Sequence, residues 1–85
     1  MTGFLVEVYT PAAAALAEIQ ERARKAATEL SEAGAPARYV RSIVVPGDET
    51  CFHLFEASSV ETVREAARRA GISPQRIVEA EETHG

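Results

Sequence analysis

The segment Ala37-Arg38-Tyr39-Val40-Arg41-Ser42-Ile43-Val44-Val45-Pro46-Gly47-Asp48-Glu49-Thr50-Cys51-Phe52-His53-Leu54-Phe55-Glu56-Ala57 decides how this chain is put together. Two extended runs, Ala37 to Val45 and Thr50 to Ala57, flank Pro46-Gly47-Asp48, a strong turn signal, and together they predict a hairpin. Toward the N-terminus, Phe4-Leu5-Val6-Glu7-Val8-Tyr9 reads as a further strand, ended by Thr10-Pro11 and too short to span a membrane. Between that strand and the hairpin, Thr10 can cap a helix and Pro11 suits its first position. Leu16, Ile19, Ala23, Ala26, Ala27 and Leu30 then recur at helical spacing beside Glu18, Glu21, Arg22, Lys25 and Glu29, until Gly34 and Pro36 stop the helix. On the C-terminal side, Ser58 with Glu61 three residues later is a capping-box pattern. Val60, Val63, Ala66, Ala67 and Ala70 line one face of the helix that follows, and Gly71 closes it. Beyond Pro74, Arg76 to Glu81 alternates as a final strand.

This order predicts an α+β, ferredoxin-like βαββαβ domain over residues 1–85, a four-stranded antiparallel sheet with two helices on one face. The composition fits: 85 residues, 46 % hydrophobic and 26 % charged, with no linker, repeat or low-complexity tract. A domain of this size buries only about 60–65 % of the surface of its unfolded chain, so a subunit interface is a natural further source of burial. Nine Lys and Arg against thirteen Asp and Glu give a net charge of -4, the wrong sign for a protein held to phosphates, and nucleic acid is not an expected partner. The single cysteine, Cys51, forms no internal disulfide. The N-terminus carries no basic stretch followed by a long apolar run, so the expected location is the cytoplasm, with no membrane partner.

Strand side chains alternate, and giving the more uniformly apolar row of each strand to the helices places Val6, Val8, Val40, Val44, Phe52, Leu54, Val78 and Ala80 beneath them. The open face then receives Leu5, Glu7, Tyr9, Tyr39, Arg41, Ile43, Val45, Cys51, His53, Phe55, Ile77, Glu79 and Glu81. Leaving Leu5, Ile43, Val45, Phe55 and Ile77 in water would forfeit roughly 1.5–3 kcal/mol each, so a homodimer through this face is expected, with a cavity between sheet and partner.

Histidine, cysteine and carboxylates in such a cavity are the ligand types of nickel, copper or zinc. Cys51 and His53, one residue apart on a strand, point the same way, and Glu7 or Glu79 can arrive from other strands. The candidate metal set is therefore Glu7, Cys51, His53 and Glu79. The structural alternative is a hydrogen-bonded His53, a buried inert Cys51 and rim ion pairs of Arg41 with Glu7 or Glu79. The same cavity also reads as that of a cofactor-free, monooxygenase- or isomerase-like enzyme or as a small-organic-ligand site, with His53 or Glu7 moving a proton, Arg41 holding an anionic oxygen and Tyr39 packing on the substrate. On this split Ser42 falls in the row opposite His53, so no Ser–His pair is expected. His84 sits in a tail where a role would need the partner subunit. Arg64, Arg68 and Arg69 beside Glu61 and Glu65 read as a solvated helix face. No Gly-rich phosphate loop, no CxxC and no asparagine occur, which counts against acylphosphatase-like enzymes and heavy-metal-associated domains of the same topology.

Across Phe4-Leu5-Val6-Glu7, Arg41-Ser42, Cys51-Phe52-His53-Leu54-Phe55-Glu56-Ala57 and the run from Val63 through Gly71-Ile72-Ser73-Pro74 to Ile77, the chain resembles a small bacterial nickel-binding-type family, long described as a domain of unknown function. The most specific part is the Glu-, Ala- and Arg-rich second helix, closed by glycine and followed by a proline turn into the last strand. The resemblance implies a ferredoxin-like fold, a dimeric α+β barrel, and Ni²⁺ or another divalent transition metal as the bound ion. The family usually has tryptophan where Tyr39 stands, and cysteine and tyrosine where His53 and Phe55 stand. His53 keeps a ligand there but a harder one, and Phe55 removes a hydroxyl.

Overall fold

The computed structural model describes residues 1–10 and 15–83. Its elements are β1 (Thr2–Tyr9), α1 (Leu16–Glu32), β2 (Ala37–Val45), β3 (Thr50–Ala57), α2 (Val60–Arg69) and β4 (Arg76–Ala80). The strands form one sheet in the order β2-β3-β1-β4, every pair antiparallel. This is the ferredoxin-like α+β arrangement that the element order predicts. Both hairpin strands keep their predicted limits. Residues Pro46–Asp48 form a 3₁₀ turn, and Glu49 takes a left-handed conformation to enter β3. The start of the first helix predicted at Pro11 lies outside the described residues, as does His84.

Local chemistry explains the helix limits. Gly34 at φ +92° and Gly71 at φ +72° take the left-handed conformation that ends α1 and α2. The cap of α2 differs by one residue from the capping-box reading: Ser59, not Ser58, accepts the Thr62 amide through its side chain, at 3.3 Å. The inner faces of the helices are largely alanine, with Ala23, Ala26 and Ala27 on α1 and Ala66 and Ala67 on α2, all buried. Small side chains let both helices lie close over Phe4, Val6, Tyr39, Phe55 and Ala57 of the sheet, while Leu30, Val63 and Ile72 fill the space between.

The register corrects the predicted division of faces. Residues opposite one another on antiparallel strands share a face, and Val6, fully buried under the helices, stands across from His53 on one side and Ile77 on the other. Cys51, His53 and Phe55 therefore face the helices, whereas Phe52 and Leu54 occupy the open face. In β4, Ile77 and Glu79 lie in the helix-side row, with Val78 and Ala80 on the open side. Both rows of β3 are apolar enough to be buried, so the pattern alone did not separate them. Tyr39 changes sides for a different reason: a β-bulge between Tyr39 and Arg41 turns it onto Phe55 and beneath the helices. Leu5, Glu7, Arg41, Ile43 and Val45 keep their predicted open-face rows.

Ser59→Ala should lower stability by about 1 kcal/mol, the ordinary cost of a lost helix cap, while Ser58→Ala should change it by only a few tenths. Urea unfolding of the two variants beside the parent measures both, and the reverse ranking would return the cap to Ser58.

Candidate functional site

His53 is the one buried polar or charged residue among the described residues, 1 % exposed in the middle of β3. A chain of hydrogen bonds makes that burial tolerable. Gln20 on α1 donates its amide Nε2–H to Tyr39 Oη at 2.9 Å. The Tyr39 proton has no other acceptor among the described residues, so the hydroxyl donates to Ser42 Oγ at 2.5 Å, and Ser42 donates to His53 Nδ1 at 2.7 Å. The direction set by Gln20 runs through both hydroxyls, makes Nδ1 an acceptor, and leaves the ring proton of the neutral imidazole on Nε2. Tyr39 is itself held firmly. Its ring meets Phe55 edge-to-face at 5.6 Å, and the Arg24 guanidinium lies 5.4 Å from its centroid.

The Cys51 Sγ lies 3.9 Å from the same Nδ1. Burial pushes the Cys51 thiol above its ordinary pKa, and the Ser42 hydroxyl beside it acts more weakly in the opposite direction. Burial lowers the His53 pKa, so near neutral pH the pair is a neutral thiol beside a neutral imidazole. This corrects the expectation that Ser42 and His53 point apart: the row reversal in β3 brings His53 to the side Ser42 already occupies.

The remaining predicted site residues lie elsewhere. Glu7 accepts a hydrogen bond from Arg76 Nε at 3.1 Å on the open-face row, and Arg41 pairs with Glu82 at 2.5 Å. Neither forms the Arg41 pair with Glu7 or Glu79 weighed above. Glu79 is exposed on edge strand β4 and borders a cleft of about 760 Å³ with Arg38, Leu54, Glu56 and Glu81, whose lining includes neither Cys51 nor His53. Of the candidate metal set, then, the fold joins Cys51 with His53 and leaves Glu7 and Glu79 apart. Of the candidate enzyme set it joins Tyr39 with His53 and leaves Glu7 and Arg41 on the other face. No three His, Cys, Asp or Glu side chains gather around a common point among the described residues. Ser42 and Gln20 are the site members that sequence reasoning missed. Gln20 was detectable as a polar residue on the inward side of α1 beside Ile19, whereas Ser42 required the true register. On α2, Glu65 holds Arg68 and Arg69, and their guanidinium groups draw its carboxyl down to about 2, as expected of a solvated ionic face.

A ferredoxin-like sheet that buries an imidazole–thiol pair beneath its helices is the class of protein this geometry defines. The chain belongs to the family described as nickel responsive protein SCO4226-like, whose profile matches residues 4–80. The crystal structure of SCO4226 from Streptomyces coelicolor A3(2) aligns with 96 % of this chain and 99 % of its own, with a TM-score of 0.69 at 18 % sequence identity. At that identity the likeness establishes the fold. No curated protein matches the chain by sequence. No helix among the described residues is long and apolar enough to cross a membrane.

The buried imidazole predicts an acid-sensitive fold. Its folded-state pKa lies below the unfolded value of about 6.5, so the unfolded chain takes up the proton first. His53 therefore costs no stability above that pH, and stability falls as pH drops through it, by up to about 1.4 kcal/mol per pH unit until the folded imidazole protonates. Urea midpoints from pH 8 to 5 should show this decline, and His53→Phe should flatten it.

Proposed function

We propose that this protein is a divalent-transition-metal-binding member of the nickel-responsive family, with Cys51 and His53 as the protein ligands and nickel as the first ion to consider. The observation that carries the reading is the Cys51–His53 pair itself, two soft-to-borderline donors 3.9 Å apart. Donors bound to one tetrahedral ion at about 2.3 Å (sulfur) and about 2.05 Å (nitrogen) would stand about 3.5 Å apart, so little adjustment is required. An ion held there takes the Nδ1 lone pair that Ser42 now occupies, and Cys51 gives up its proton on binding. With two protein ligands in a buried site, the remaining positions fall to water or a small anion carried in with the ion. The reading also needs Cys51 reduced, which suits a cytoplasmic setting. Its place differs from the open-face cavity of the sequence-based expectation, because both donors point under the helices.

The homodimer belongs to the same proposal and rests on the open face. Leu5, Phe52 and Val78, each partly exposed, share that face with Ile43, which is 48 % exposed. Arg38–Glu56, Arg41–Glu82 and Arg76–Glu7 ion pairs accompany them. A two-fold partner of the same chain would match an apolar centre to an apolar centre.

Isothermal titration of metal-stripped, tag-free protein with nickel, zinc and copper tests the metal site. Saturable binding should weaken at least tenfold in Cys51→Ser and in His53→Phe, while Ser42→Ala, which frees the Nδ1 lone pair, should bind as well or better. Binding of none of the three ions, or binding indifferent to both ligand changes, would refute the site. For the dimer, light scattering should give twice the 9.1 kDa chain mass for the parent and a monomer for Phe52→Glu. A monomeric parent rules the dimer out.

A further inference from the structure

A second opening lies on the helix side of the sheet, where the end of β1, the start of α1 and the turn from α2 to β4 meet. This cleft of about 480 Å³ is lined by Val8, Leu16, Ile19 and Ile72, with Tyr9, Thr10, Ser73 and Gln75 at polar positions, and His53 forms part of its wall. Its volume falls inside the range of about 300–1,000 Å³ typical of small-molecule sites, and the mixture of apolar walls with a few polar groups is characteristic of them. Every polar group in the lining is uncharged, the neutral imidazole included, and no Asp, Glu, Lys or Arg side chain borders the cleft among the described residues. A charged ligand would lose its hydration without an ionic partner there, so the walls select an uncharged one.

The hydrogen-bond chain specifies the ligand further. Because Ser42 donates to Nδ1, the imidazole proton sits on Nε2, and that nitrogen has no protein partner among the described residues. The residue that carries this N–H walls the apolar cleft, and an N–H there calls for an acceptor.

We infer that this cleft binds a small, uncharged, largely apolar molecule carrying a carbonyl or similar acceptor oxygen, which takes the Nε2–H hydrogen bond of His53. Gln20, Tyr39 and Ser42 are positioning residues in this site. They touch no ligand and fix the tautomer that recognises it. The inference is independent of the metal reading, since it uses the opposite nitrogen of the ring and requires no ion.

The probe pair is acetophenone and ethylbenzene, alike in shape, of which only the first carries an acceptor. Each is titrated into ¹⁵N-labelled protein in the presence of EDTA and followed by amide and histidine-ring NMR. Acetophenone should shift Val8, Ile19, Ile72 and Gln75 saturably, move the His53 Nε2 resonance, and bind about three- to tenfold more tightly than ethylbenzene, the range of one neutral hydrogen bond. Leu16→Trp, which fills the cleft from a half-buried position at its mouth, should abolish binding of both with the remaining spectrum preserved. His53→Phe should bring acetophenone down to the affinity of ethylbenzene. Absence of saturable shifts up to the solubility limit, shifts confined to the open sheet face, or equal affinities of the two probes for the parent would each overturn the proposal. Should His53→Phe unfold, the comparison of probes on the parent and on Leu16→Trp decides alone.

Discussion

The hydrogen bond from Ser42 to His53 is the constraint around which this small fold is arranged. An imidazole set without a partner between a sheet and two helices would cost several kilocalories per mole, and the opposite row of β3 offers Phe52 and Leu54, which bury at no such cost. The native register nevertheless turns His53 inward. It can do so because Ser42 stands directly across on β2, Tyr39 supports Ser42, and Gln20 reaches down from α1 to complete the chain. Three elements are thus tied by side-chain hydrogen bonds as well as by packing. The bulge before Arg41 is what brings Tyr39 and Ser42 to the same side. A regular strand would have separated them.

Turning His53 inward has a consequence on the far side of the sheet. Phe52 and Leu54 become part of the open face, where they meet Leu5 and Val78, and the charges there pair among themselves. Glu82 lies just past β4 at one edge of the sheet, yet it reaches Arg41 on β2 at the other edge. The chain therefore crosses over β1 and β3. Leu54, 4 % exposed, borders the cleft that this crossing helps to form. The open face is consequently less bare than the topology by itself suggests, and any partner must fit around residues 81–83.

On the helix side, alanine-rich helix faces bring the backbone close to the sheet and leave the large side chains to the strands. Tight packing over Val6 and Phe55 thins out toward the start of α1, where the cleft beside His53 opens. The same residue thus faces two chemistries: its Nδ1 meets Ser42 and Cys51, and the residue also walls an apolar hollow. A neutral imidazole in a fixed tautomer suits both, since it presents a lone pair to one side and a proton to the other.

Element order, strand limits and helix stops follow from the sequence alone, because they depend on local chemistry: Pro46-Gly47-Asp48 turns the hairpin, Gly34 and Gly71 end the helices, and alternation or helical spacing marks the rest. The adjacency of Cys51 and His53 was equally legible, since residues two apart on a strand share a side. Which side they share was not. Both rows of β3 are apolar, a bulge at Val40 leaves no mark in composition, and the partners that make a buried histidine acceptable lie 11 and 33 residues away from it, at Ser42 and, through Tyr39, at Gln20. Local patterns fix what each segment becomes. Only the pairing of distant segments, one register chosen over another one residue away, decided which face holds the site, because a shift of one position exchanges every side chain between core and surface.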